Sequence, residues 1–216
     1  MKISRYLLAA LVAATWLVVQ IPAARAVALS LAPPASVVTE GDTFSIDVLV
    51  SGLGDAVAPS LATFDMTITY DSALLLATGV VFGDPVLGDQ LDLFGIGTFP
   101  GSVFDVGTVD ISEASFDSPS DLDSMQAPAF ILATIDFKAL AATSLGAATL
   151  LGIVPTPGFN GPLLGDSLGV EIAVAAATTG AEVTIKARNV AEPGTLALLG
   201  LSLMGMTFLR WRGVSA

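Results

Sequence analysis

This chain predicts an all-β fold, a two-sheet antiparallel sandwich framed by two apolar terminal segments, on three observations. Short stretches alternate apolar and polar residues with a period of two, and clusters of Gly, Pro, Asp and Ser separate them. Between residues 27 and 189 no stretch keeps a 3.6-residue period for four turns, so an α/β reading fails. The terminal runs are uncharged and bordered by basic residues, a pattern of export and membrane contact rather than of a core.

In chain order, Lys2 and Arg5 precede the apolar run Tyr6–Val19, and Ala24-Arg25-Ala26 supplies the small-x-small pattern that signal peptidase accepts. Residues 1–26 therefore read as a signal peptide cleaved before Val27. An anchor that stays on is disfavoured by the short run and the cleavage site behind it.

Residues 27–189 have the size of one globular domain. Val37–Thr39 reads as a short first strand. Thr43–Ser51 alternates cleanly, with Phe44, Ile46, Val48 and Val50 on one face and Thr43, Ser45, Asp47 and Ser51 on the other. Phe64, Met66, Ile68 and Tyr70 repeat the pattern, Asp71-Ser72 reads as a turn, and Leu74–Phe82 runs back. Val109 and Ile111 alternate with Thr108, Asp110 and Ser112; Ile131, Ala133, Ile135 and Phe137 oppose Thr134, Asp136 and Lys138. Thr149–Val154, Gly169–Ala175 and Glu182–Arg188 complete about nine strands. Residues 83–107 and 115–128 are long connections with room for short helical turns.

Composition narrows the chemistry. The chain has neither cysteine nor histidine, which removes thiolate metal sites, the commonest zinc ligand and every Ser-His or Cys-His mechanism. Residues 27–189 carry 19 acidic side chains against Lys138, Lys186 and Arg188, a net charge near −16. That balance excludes a phosphate-binding footprint, so no nucleic acid partner is expected. Its direct effect is solubility and resistance to self-association.

Three motifs tempt an enzymatic or metal reading. Gly165-Asp166-Ser167-Leu168-Gly169 matches a nucleophile-elbow string, but no imidazole exists to take the Ser167 proton, and the motif leads into a strand-like run. It reads as a turn. Asp117, Asp121 and Asp123, and separately Asp84, Asp89 and Asp92, are weak calcium candidates in acidic loops, but Pro119 and Ala127-Pro128 break an EF-hand pattern. Paired carboxylates for glycoside hydrolysis carry no signal at this abundance, and the domain has no tryptophan and one tyrosine, Tyr70. No catalytic residue, cofactor or firm metal site is expected. Phe94, Phe99, Phe104 and Phe116 lie in or beside loops, where they form either a binding patch or satellite core packing.

Val38-Thr39-Glu40-Gly41-Asp42-Thr43-Phe44, then Phe64-Asp65-Met66-Thr67-Ile68-Thr69-Tyr70-Asp71, and later Ile131–Ala139, resemble a cohesin domain. The resemblance covers roughly residues 29–188 and implies a jelly-roll sandwich related to certain carbohydrate-binding modules. It also implies a protein partner: cohesins bind dockerin modules through one sheet face. Fold kinship keeps a second reading open, a carbohydrate-binding module holding secreted exopolysaccharide, which the missing tryptophan disfavours.

The last segment, residues 190–216, closes the argument. Thr195–Leu209 is a 15-residue uncharged run, about 22 Å long as a helix at ~1.5 Å per residue against a ~30 Å hydrocarbon core. It spans marginally as a transmembrane helix; Arg210 and Arg212 can snorkel, and Trp211 suits the interface. A buried core helix is the alternative, but the run has no polar face and holds Gly200 and Gly205. With Val190-Ala191-Glu192-Pro193 ahead of it, the segment resembles the PEP-CTERM sorting signal of exported bacterial proteins, with Ala191 where the first proline usually stands. The resemblance implies processing around Glu192-Pro193 by an exosortase-type transpeptidase. It implies transient anchoring at the inner membrane and delivery to the cell envelope or to the extracellular matrix of a biofilm.

Overall fold

The computed structural model describes residues 27–33, 36–144, 147–154, 163–175, 180–188 and Met204. Two sheets face each other. One runs β1 (Ala28–Ala32), β3 (Thr43–Ser51), β8 (Ala129–Ala139) and β5 (Leu75–Phe82), in that order. The other runs β2 (Val37–Thr39), β11 (Ala181–Lys186), β9 (Thr149–Val154), β4 (Leu61–Thr69), β7 (Thr108–Ala114) and β6 (Gly101–Asp105), and β10 (Leu163–Asp166) also pairs with β4. α1 (Pro119–Met125) is the one helix longer than a single residue among the described residues.

The alternation seen in the sequence places the core. Ile46, Val48 and Val50 of β3 face Phe64, Met66 and Ile68 of β4 across the sandwich, all fully buried, while Ser45, Asp47, Asp65 and Thr69 lie on the outer faces. Phe137 stacks on Phe44 at 5.8 Å and meets the Tyr70 ring edge-on at 5.2 Å, so aromatic contacts bridge the two layers. At the far end of β11, Arg188 pairs with Asp42 at 3.1 Å and donates to the Glu40 carbonyl.

The structure departs from the sequence expectations at β1, where no strand is expected, and in four further places. Ile131 turns outward: a bulge where Val48 and Leu49 face Ala133 and Ile131 shifts the parity of β8, so Phe130 and Leu132 point inward before it and Ala133, Ile135 and Phe137 after it. Gly169–Ala175 is not a strand; β10 precedes it, and only isolated bridges at Glu171 and Val174 follow. β2 and β11 run parallel, since no hairpin joins these distant segments to impose an antiparallel pair. Residues 83–107 contain β6, hidden by its glycine and by the prolines and glycines around it.

Candidate functional site

The acidic loops are built by their carboxylates. Asp84 accepts the Val86, Leu87 and Ile131 N–H groups at 2.8, 2.9 and 3.0 Å, tying loop 83–98 to the β8 bulge. Partial burial raises its pKa, but the three donors outweigh that and hold it below the ordinary range. Asp89 accepts from Leu91 N, and Asp92 from Gly97 N. Of the calcium candidates, Asp117 reaches across to Leu93 N at 2.7 Å, Asp121 meets the Ser118 hydroxyl at the start of α1, and Asp123 accepts from Ser60. Each serves a different partner. Among the described residues no three of His, Cys, Asp or Glu are placed to hold a metal ion.

Glu113 gave no signal in the sequence, where a charged residue after Thr108–Ser112 reads as the end of a strand. It lies on the inward face of β7, in step with Val109 and Ile111, and is 2% exposed. One oxygen accepts from Thr98 Oγ1 at 2.7 Å; the other receives no hydrogen bond. Burial pushes its pKa up to about 7; the Thr98 hydroxyl opposes this, and the carboxylates of Asp89 and Asp92 add to it. A proton on Glu113 gives the second oxygen something to donate, with Asp89 as the neighbouring acceptor. Its position inside the wall keeps substrate away, so its role is to seat loop 83–98 on the end of β7.

That loop leads into an exposed hairpin. Thr98 bridges Ser115 and Phe99 N bonds Ala114 O, and the same register runs on through Gly101↔Ser112 and Val103↔Asp110. Phe99, Gly101 and Val103 thus share the outer face of the seven-stranded sheet with Ala114, Ser112 and Asp110, and with Thr63, Asp65 and Thr67 beyond them. Phe99 is 74% exposed and Val103 59%, with Phe116 close to Ala114 at 61%. An apolar row therefore borders a polar band in which Thr67 donates to Asp110. The outer face of the other sheet likewise pairs its own polar groups, Ser45 with Asp136 and Thr134 with Asp47. Phe94, Phe99, Phe104 and Phe116 all reach solvent, so these phenylalanines are not packed as a satellite core. The two-residue turn Val106-Gly107 was the signal that could have revealed the hairpin.

The Gly165–Gly169 motif is a turn. Asp166 accepts from Leu168 N and Val170 N, Gly169 has a positive φ of 77°, and a Cβ on Gly165 would meet Thr63 Cγ2 at 2.6 Å. Ala24, Ala26, Val190, Glu192, Pro193, Arg210, Trp211 and Arg212 lie outside the described residues, as does the 195–209 run apart from Met204. Among the described residues no helix is long and apolar enough to cross a membrane.

No family model matches the chain, and no curated protein matches it in sequence. Solved structures do. The sixth cohesin of scaffoldin B from Acetivibrio cellulolyticus, solved in complex with a mutant Cel5 dockerin, aligns with a TM-score of 0.54 at 16% identity, covering 76% of this chain and 99% of that one. The cohesin module of a family 33 glycoside hydrolase from Clostridium perfringens gives 0.52 at 14%, covering 74% and 98%. A type II cohesin domain from the Acetivibrio cellulolyticus cellulosome gives 0.54 at 15%, covering 73% and 95%. The chain is similar to cohesins in fold, and the described residues between 27 and 188 form a cohesin-like sandwich.

Proposed function

We propose that this protein is a non-catalytic binding module that captures another protein on the outer face of its seven-stranded sheet, at the β6–β7 hairpin. The observation that carries the reading is the exposed row Phe99, Val103 and Phe116 beside a polar band on that sheet. The cohesin-like fold supports a protein partner, since several of the similar cohesins were solved with dockerins bound. A dockerin-like module is the first partner to test. The terminal segments support export, transient anchoring through residues 195–209, and sorting by an exosortase-type enzyme around Glu192-Pro193.

The test is capture of envelope and secreted proteins, and separately of exopolysaccharide, by the full chain and by its Phe99→Ala/Phe116→Ala variant. A protein retained by the wild type and lost by the variant supports the reading. Retention of polysaccharide alone replaces it with carbohydrate binding. Intact mass of the mature protein tests the sorting: a species that still carries Met1 or Arg212 overturns it.

A further inference from the structure

We propose that the free edge of β6 and the cleft beside it accept an extended segment of the partner, alternating basic and apolar residues, as an added strand. The proposal rests on the reading of the β6–β7 hairpin as the recognition element and adds the chemistry of what it takes.

Strand edges are normally blunted, because their unpaired N–H and C=O groups invite another chain. The other outer edges here are blunted: β10 is covered by residues 170–172, through the Gly165–Glu171 bridge and the Ile172 N to Leu164 O bond. β1 is closed at its start by the Val27–Val174 bridge and the Ala175 N to Val27 O bond. β5 is broken by a bulge between Ala77 and Gly79. β2 has only three residues. β6 ends its sheet with no lysine, no bulge and no proline within Gly101–Asp105, and among the described residues nothing pairs with its outer side. Both its faces reach solvent, because it overhangs the four-stranded sheet.

The overhang opens a cleft of about 410 Å³ between β6 and β5, with Tyr70, Leu76, Ala77, Phe104 and Val106 on its walls. Phe104 faces it from β6, opposite Val109 in the register, and Leu76 and Phe104 are roughly half exposed. A strand added to β6 would send alternate side chains into this cleft and the others to the outer face beside Val103, with Asp110 one strand further in. Apolar groups fit the first position. The charged residue in the cleft lining is Asp105, and no basic residue is among it. On a domain with a net charge near −16, a second copy of the chain is repelled, and a cationic segment is drawn in.

Hydrogen exchange of the full chain tests this, with a synthetic peptide of roughly eight alternating lysines and valines, long enough for one strand, as the probe. The expected result is roughly tenfold slower exchange of free-edge amides in residues 101–105, with no slowing by the peptide that has glutamate for lysine. Phe104→Lys should abolish the protection, whereas Phe99→Ala/Phe116→Ala should keep it. Absence of slowing in 101–105 at saturating peptide, equal slowing by the acidic peptide, or protection that survives Phe104→Lys overturns the proposal. Loss of protein capture by Phe99→Ala/Phe116→Ala without peptide protection would sink the added strand while leaving the outer-face reading intact.

Discussion

Gln126 closes an amide pair onto the backbone of Leu61, accepting its N–H at 2.6 Å and donating to its carbonyl at 2.8 Å. The side chain just past α1 thus stands in for a strand partner at the start of β4, and its second N–H reaches Gln90 O at 2.9 Å. All of this is buried, with Gln126 4% exposed. Substitution Gln126→Ala strands up to three backbone groups, and each orphan costs about 1–3 kcal/mol. The expected loss is about 3 kcal/mol in chemical denaturation. A loss under about 0.5 kcal/mol, typical of surface changes, would mean that water replaces the amide fully.

Glu113 sets a pH dependence. Its folded pKa, about 7, lies above its unfolded value, so its contribution is complete below about pH 4.5 and is lost as pH rises through about 7. Glu113→Gln, which keeps a donor but cannot ionise, should flatten the fall in Tm between about pH 5 and about pH 8. Parallel pH profiles for the variant and the wild type would refute a buried proton at this position.

Asp84 acts with the opposite sign. Its three backbone donors lower its folded pKa, so its stabilisation is present above the unfolded value and disappears as pH falls through the folded one. Asp84→Asn should lose about 1–3 kcal/mol at neutral pH, and the difference should shrink in acid, because a protonated aspartate is no better an acceptor. Thermal denaturation of both proteins across acid pH checks this.

The outer-face phenylalanines should be dispensable for folding. Phe99→Ala/Phe116→Ala is expected to change stability by less than about 0.5 kcal/mol per site, since both rings are mostly exposed. A large fall in Tm would instead make them part of the core.

The sandwich was legible because burial on one face forces a period of two: Thr43–Ser51 and Thr149–Val154 were predicted with the bounds they have. What escaped the sequence were features set by tertiary partners. The β8 bulge inverts Ile131, whose N–H is held by Asp84 from a loop 47 residues away. β6 overhangs its neighbours, so neither face shows the buried alternation that marks a strand. Glu113 sits where a hydrophobic residue is expected, and only the loop folded against it explains why a carboxyl is tolerated there. The four phenylalanines were located correctly, but exposure could be decided only by the fold.

Ala28 pairs with Ser51 at one end of β3, while Arg188 clasps Asp42 next to the other. The backbone therefore comes in and goes out at opposite poles, separated by a nine-residue strand or about 26 Å at ~3.3 Å per residue. The domain's two ends lie in line with its strands: tension between them lies along the strand axes, and the five β1–β3 pairs resist it in shear together rather than unzipping one after another.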